Sequence, residues 1–299
     1  MASELVRQLI DAGIHFGHRA SRWNPKMAPY IFGKRNTIHI IDIRETVKGL
    51  LRAKKFIARV VAGGDDILLV GTKRQARLLI RESAERVSMP YVVDRWLGGT
   101  LTNFQTIRSR VSRLEELEVA ETDGTALEYS KKMIATRARE LRKIRRNLEG
   151  IRNMNRLPGA LFIIDVHREK NAVREAKKLG IPTVCLIDTD SDPAFADVPI
   201  PGNDDAMRAI GVILEHVVEA IELGKKARKA PKPEPTEADP DTAPRRRASR
   251  SAAASSGESP SAPTGGEVPD AAPVAVAQAE PKPVVSESAA PATTTEPAP

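Results

Sequence analysis

The 299-residue chain holds a single cysteine, Cys185, so no disulfide can form within it. Cys185 lies in the apolar run Thr183-Val184-Cys185-Leu186-Ile187 and reads as a small buried residue rather than a reactive thiol. No stretch approaches the roughly 20 apolar residues that a membrane span needs, and the N-terminus lacks the apolar core of a signal peptide. These absences predict a soluble intracellular protein in a reducing compartment. Nucleotide fingerprints are missing too: no G-x-G-x-x-G follows a strand, and there is no G-x-x-x-x-G-K-[ST]. No Ser/His/Asp or Cys/His grouping suggests a nucleophile. Tryptophan is scarce as well, with two in the chain, and each of them, Trp23 and Trp96, stands beside an arginine.

What is present points to a polyanion. The stretch from His15 to Met27 mixes cations (Arg19, Arg22, Lys26), rings, amides, a Gly and a Pro, which is the composition of neither a core helix nor a core strand. Arg95-Trp96-Leu97-Gly98-Gly99-Thr100-Leu101-Thr102-Asn103-Phe104 has the same character. Cations bind phosphate, and flat rings or guanidinium planes stack on unpaired bases. The formal net charge is +8, unevenly spread: residues 229–299 carry 7 Lys/Arg against 10 Asp/Glu, which leaves +11 on the first 228. A basic folded part with an acidic tail favours nucleic acid as partner.

The tail from Lys229 is dominated by Ala, Pro, Ser, Thr and Glu and cannot bury enough apolar surface to offset its ordering entropy, so residues 229–299 are expected to be disordered. Before it, strand-like and helix-like runs alternate. Residues 37–42, 66–71, 91–93, 160–165 and 182–188 read as strands, and 45–62, 75–87, 170–179 and 206–223 as helices. The strands are near-continuous apolar runs, which marks a parallel sheet covered on both faces, and the alternation predicts a doubly wound α/β domain over 1–100 and 156–228. Residues 101–155 break the pattern with two long polar helices. Ile107 and Leu114 are seven apart, as are Ile134, Leu141 and Leu148, which predicts an inserted antiparallel coiled-coil hairpin. Six of the ten residues from Arg137 to Arg146 are cations, and Arg139, Arg142 and Arg146 share one helix face.

An enzymatic alternative has two footholds. Val70-Gly71-Thr72-Lys73-Arg74 lies at a strand-to-helix turn where backbone N–H groups and Lys73 could hold a phosphate, of a nucleotide or of RNA. His15 and His18, with Asp188, Asp190, Asp192, Asp204 and Asp205, offer metal-ligand types near a strand end. Asp is also a turn former and helix N-cap, and Asn203-Asp204-Asp205 precedes a helix, so capping is the favoured reading of these aspartates and no metal or cofactor is expected.

Taken in order, His15-Phe16-Gly17-His18, Arg22-Trp23-Asn24-Pro25-Lys26-Met27 and Tyr30-Ile31-Phe32-Gly33-Lys34-Arg35-Asn36 resemble the opening signature of the bacterial family of small-ribosomal-subunit protein two. Val70 to Arg74 and Arg95 to Asn103 are similar to its central motifs, and Leu179-Gly180-Ile181-Pro182, Asp188-Thr189 and Ile200 to Ala206 to its C-terminal ones. The match spans about Ala2 to Gly224. Asp190 departs from the family's usual Asn, and Gly159 stands where an Asp is frequent. The resemblance implies a flavodoxin-like sheet with a protruding coiled-coil hairpin and a structural ribosomal protein without catalytic activity. It implies contacts with small-subunit rRNA and with other small-subunit proteins, including the large one built of OB-fold repeats. The residues expected to touch RNA or a partner are Arg19, Arg22, Trp23, Lys26, Lys34, Arg35, Lys73, Arg74, Arg95, Trp96, Asn103, Arg139, Arg142 and Arg146. The competing expectation is a nucleotide- or metal-dependent α/β enzyme.

Overall fold

A computed structural model describes residues 2–122 and 130–229 of the chain. The element order is α1 (Ala2–Asp11), β1 (Phe16–Arg19), β2 (Ile31–Arg35), β3 (Ile38–Ile41), α2 (Ile43–Ala62), β4 (Ile67–Val70), α3 (Arg77–Arg86), β5 (Tyr91–Val92), α4 (Phe104–Thr122), α5 (Lys131–Leu148), β6 (Ala160–Ile164), α6 (Lys170–Leu179), β7 (Thr183–Ile187), β8 (Val198–Pro201) and α7 (Met207–Lys229). Five strands form one parallel sheet in the order β5-β4-β6-β7-β8.

The apolar runs explain why this sheet is central. Every residue of β4, β6 and β7 is buried. Successive side chains point to opposite faces. Leu69, Phe162, Ile164, Val184 and Leu186 therefore join α2, α3 and α7 in one layer of core. Leu68, Val70, Leu161, Ile163, Cys185 and Ile187 join α6, Met27, Trp96 and the feet of α4 and α5 in the other. Burial is complete at Cys185 and pushes its thiol up to about 12, in keeping with an inert thiol.

Helix ends follow local chemistry. Asp42 caps α2 by accepting the Arg44 N–H at 2.8 Å, and the buried residues Thr46, Leu50, Ala53, Ile57 and Val61 step by three and four along one stripe, with Gly49 beside it. Gly180 ends α6 with φ of 69°, a left-handed conformation that a side chain would strain.

Two elements differ from expectation. Ile38–Ile41 is a strand, but it lies outside the parallel sheet, in a three-stranded antiparallel sheet ordered β1-β3-β2. This segment is only partly buried, unlike the strands of the parallel sheet. The fifth parallel strand is instead Val198-Pro199-Ile200-Pro201, paired with β7. Its two prolines lack N–H donors and hide it from pattern reading, yet an edge strand tolerates them.

α4 and α5 pack together, with Leu114, Leu117, Leu141 and the partly buried Ile144 between them. Arg145 donates to Glu118 at 2.7 Å, and Arg108 to the carbonyl of Arg152 at 3.0 Å, so the partners run in opposite chain directions. The connection at 123–129 and the tail beyond Lys229 lie outside the described residues. No helix among the described residues is long and apolar enough to cross a membrane.

Candidate nucleic-acid interface

The reversal in strand order between β4 and β6 opens a crevice at their C-terminal ends, the place where ligands of open α/β sheets collect. Here the crevice is continuous with the basic face of α5. The resulting groove has a volume of about 1020 Å³ and is lined by Arg95, Arg139, Arg142, Lys143, Arg146 and Arg168, together with Asp94, Trp96 and the Thr72–Glu169 pair. Arg139 and Arg142 are exposed and turn back along the helix, their Nε atoms donating to the carbonyls of Ala135 and Ala138. Arg146 Nε lies 3.2 Å from Asp94 Oδ1, which Arg77 also approaches at 3.4 Å. Glu169 is buried and accepts both the backbone N–H and the hydroxyl of Thr72. Burial pushes its pKa up, with the Thr72 bonds opposing. Two acids against six cations leave the groove positive.

The wall of the groove is held by Glu175 of α6. Its carboxylate accepts the Trp96 indole N–H at 3.0 Å and the backbone N–H groups of Gly99 at 2.8 Å, Leu101 at 3.0 Å and Thr102 at 3.2 Å. Trp96 is thereby fixed in the core at 7 % exposure, and Arg95 beside it is left in solution. Asn103 is exposed at the start of α4, accepting the Thr106 hydroxyl at 2.8 Å.

The N-terminal arm makes a second exposed surface. Arg19, Arg22, Lys34 and Arg35 are all exposed there, beside Phe32 at 79 % exposure. Trp23 is 37 % exposed, with its ring 5.1 Å from that of His39. Lys26 pairs with Asp192 at 2.7 Å. Glycine fixes how this arm seats: a Cβ on Gly17 would stand 2.6 Å from Thr189 Cγ2 and 3.1 Å from Asp188 Oδ1. Without that Cβ, the His18 N–H reaches Thr189 Oγ1 at 3.0 Å.

Apart from Trp96, which is packed in the core, and Asn103 at the start of α4, the expected contact residues thus fall into three groups. Arg95, Arg139, Arg142 and Arg146 converge on the groove, whereas Arg19, Arg22, Trp23, Lys26, Lys34 and Arg35 belong to the arm. Lys73 belongs to neither. Its ammonium lies 2.6 Å from both Asp204 Oδ1 and Asp205 Oδ1 and 3.7 Å from Asp165 Oδ2, while Arg74 next to it is exposed. Burial works against the Lys73 charge, but these aspartates outweigh it and hold its pKa above the usual lysine range. Arg168 is a groove residue that the sequence motifs do not single out. The signal for it is its place just after β6, at the ligand-gathering ends of the strands.

His18 stands between acids in the same region: Nδ1 lies 3.0 Å from Asp188 Oδ2 and Nε2 lies 3.3 Å from Asp205 Oδ2. Its pairing with Asp188 raises its pKa to about 9 against the opposing effect of burial. Asp204 is raised to about 8 by burial, then by repulsion from Asp188 and Asp165, with Lys73 opposing.

Residues 9–224 match the family model described as Ribosomal protein S2. The chain is 60% identical over 225 residues to the small ribosomal subunit protein uS2 of Rhodopirellula baltica, an alignment covering 75% of this chain and 86% of that protein. It is 50% identical over 226 residues to the small ribosomal subunit protein uS2 of Syntrophobacter fumaroxidans, covering 76% and 82% respectively. The class is therefore that of structural, non-enzymatic ribosomal proteins. The chain belongs to the Ribosomal protein S2 family, and its role is structural, within the small ribosomal subunit.

Proposed function

We propose that the chain anchors small-subunit rRNA in the groove between α5 and the C-terminal ends of β4 and β6, and that it meets neighbouring small-subunit proteins, including the large OB-fold-repeat protein, on the N-terminal arm. The observation that carries this reading is the convergence of Arg95, Arg139, Arg142, Lys143, Arg146 and Arg168 on one groove from three separate parts of the chain. Phosphate contacts of this kind supply affinity without reading sequence. The protein then works on the ribosome, in the cytoplasm.

The organisation follows the same reading. Numbered by parallel strands alone, the sheet order is 2-1-3-4-5, which is the flavodoxin-like order. Residues 1–100 and 156–228 form that α/β domain, 101–155 an inserted antiparallel coiled-coil hairpin supported by the Leu114–Leu117–Leu141 seam, and 229–299 a tail.

The test is a salt series of binding to a small-subunit rRNA fragment. Arg139, Arg142 and Arg146 are replaced together by Gln. The slope of log affinity against log salt should become shallower by roughly two to three units, the counterion-release value for three phosphates. Stability should change by less than about 0.5 kcal/mol, since all three side chains are exposed. An unchanged slope would leave this face without an RNA role.

A further inference from the structure

On the reading of the groove as an rRNA site, we propose that Arg168 is its preorganised phosphate clamp and that Thr72, set by Glu169, is the positioning residue that aims the guanidinium. Arg168 Nε donates to the Thr72 hydroxyl oxygen at 2.9 Å, across 96 positions of chain. That hydroxyl donates in turn to Glu169 Oε1, which also accepts the Thr72 backbone N–H at 3.0 Å. Thr72 is 6% exposed and Glu169 3%, so the anchor is buried while Arg168 itself is exposed.

The order of these bonds follows from donor chemistry. An arginine side chain only donates, and a hydroxyl has a single hydrogen to give. Glu169 takes the Thr72 hydrogen, which turns an oxygen lone pair toward Arg168. With Nε spent in this way, the edge formed by the Nη nitrogens is left to meet a ligand, and that edge matches a pair of oxygens on one phosphate. The Arg168 backbone is fixed as well, its N–H donating to Asp165 Oδ1 at 3.0 Å in the turn between β6 and α6. The Gly71-Thr72-Lys73 turn thus serves the groove through its hydroxyl, while Lys73 is engaged with Asp204 and Asp205.

Other groove cations are held differently. Arg139 and Arg142 spend Nε on carbonyls of their own helix, and Arg146 spends Nε on the Asp94 carboxylate. Arg168 is anchored by a neutral hydroxyl from the end of β4, which fixes its direction without pairing its charge. The ligand is a phosphate rather than a base. Among the described residues lining the groove, Trp96 is the aromatic one, and it is packed in the core with its indole N–H on Glu175, so it has no face free for stacking. Asn171 brings the N-terminal end of α6 to the same groove, where the helix dipole favours an anion. The occupant is the rRNA backbone, held without reading its sequence.

The test measures binding of the full chain to a small-subunit rRNA fragment across a salt series, with circular dichroism and melting to check folding. Arg168→Gln should weaken binding about 10-fold and make the salt slope shallower by about one unit. Thr72→Val keeps the shape and the charge, so it should weaken binding about 3- to 10-fold, the cost of ordering one freed side chain, at unchanged slope. Thr72→Ser keeps the hydroxyl and should bind like the parent. In the Arg168→Gln background Thr72→Val should cost nothing further, because its effect runs through Arg168. An equal loss from Thr72→Val in both backgrounds overturns the positioning role. If Thr72→Val does not fold, Arg168→Lys decides: it keeps the charge but lacks the planar fork, and parent-like affinity overturns the clamp. A slope altered by the joint Gln replacement of Arg139, Arg142 and Arg146 but not by Arg168→Gln overturns the clamp and leaves the groove reading standing. A slope altered by neither removes the RNA role of the groove, and the clamp with it.

Discussion

The Glu175 carboxylate holds the Trp96 indole N–H at 3.0 Å, although the two residues are 79 positions apart in the chain. With the N–H groups of Gly99, Leu101 and Thr102 on the same carboxylate, this contact folds the Arg95–Asn103 loop onto α6. A loop placed this way exposes Arg95 and buries the ring next to it.

This arrangement gives an acid-stability prediction. Burial pushes the Glu175 pKa up, but the bonds from Trp96, Gly99, Leu101 and Thr102 outweigh it and leave the pKa below the usual carboxylate value. A carboxylate with a depressed folded pKa contributes stability that is fully present above its unfolded pKa, about 4.3, and is lost as pH falls through the folded value. Glu175→Gln should therefore cost about 1–2 kcal/mol near neutrality, at the low end for charged hydrogen bonds because the group is only half buried. Its deficit relative to the parent should shrink below about pH 4. Urea unfolding at pH 7 and pH 3.5 measures both. A deficit equal at the two pH values would exclude the ionised carboxylate as the source.

Much of the fold is legible in the sequence because the parallel strands are apolar on both faces. Ile67–Val70, Ala160–Ile164 and Thr183–Ile187 announce themselves as buried runs. Val198–Pro201 does not, because pattern reading penalises proline and cannot know that this strand sits at an edge. Ile38–Ile41 is legible as a strand but not by sheet, since pairing partners are a tertiary property. The basic face of α5 can be read from helical spacing alone. Arg168 carries only the coarse signal of following a strand end, and that it meets the α5 face, like the drawing of Lys73 into Asp204 and Asp205, depends on which strand ends lie side by side. The cation-plus-ring composition flags Trp23 and Trp96 equally, and only packing separates the exposed ring from the buried one.

The arm should matter to assembly more than to folding. Arg22 is exposed, and Lys26 has a surface pair, with Asp192, worth little in water. Reversing Lys26 would set like charges against Asp192, so the cleaner variant combines Arg22→Glu with Lys26→Gln. Its melting free energy should stay within about 0.5 kcal/mol of the parent. Its incorporation into small subunits, followed by sucrose-gradient sedimentation, should fall. Full incorporation would count against a contact role for these two residues.

The tail should be dispensable for folding, but the position of the cut should matter. α7 continues to Lys229, and its last turns are tied down: Lys225 Nζ donates to the carbonyl of Val87, and Arg228 reaches the carbonyl of Gly64 at 3.5 Å. A chain ending at Lys229 should melt like the full-length protein. One ending at Gly224 loses the Lys225 bond and should be destabilised by about 1 kcal/mol, the net worth of a typical hydrogen bond. Differential scanning calorimetry of the two truncations separates these outcomes, and equal melting of both would mean that the last turn of α7 contributes nothing.

Gly17 sets how closely the arm can approach the sheet. A methyl group there would meet Thr189 Cγ2 at 2.6 Å, Thr189 Oγ1 at 3.0 Å and Asp188 Oδ1 at 3.1 Å. Thr189 is fully buried, and its backbone carbonyl holds the Asn24 N–H at 2.7 Å, so it has little room to yield. The arm must move instead, lengthening the His18 N–H to Thr189 Oγ1 bond. Gly17→Ala should therefore destabilise the protein by about 1–3 kcal/mol, the usual cost of overpacking. The helix-covered parallel sheet makes its own core, so the damage should stay near the arm. Hydrogen exchange should rise at His18 and Asn24 while Leu161, Phe162 and Ile163 in β6 keep their relative protection. Uniform loss of protection across β6 would show instead that arm and sheet unfold as one unit.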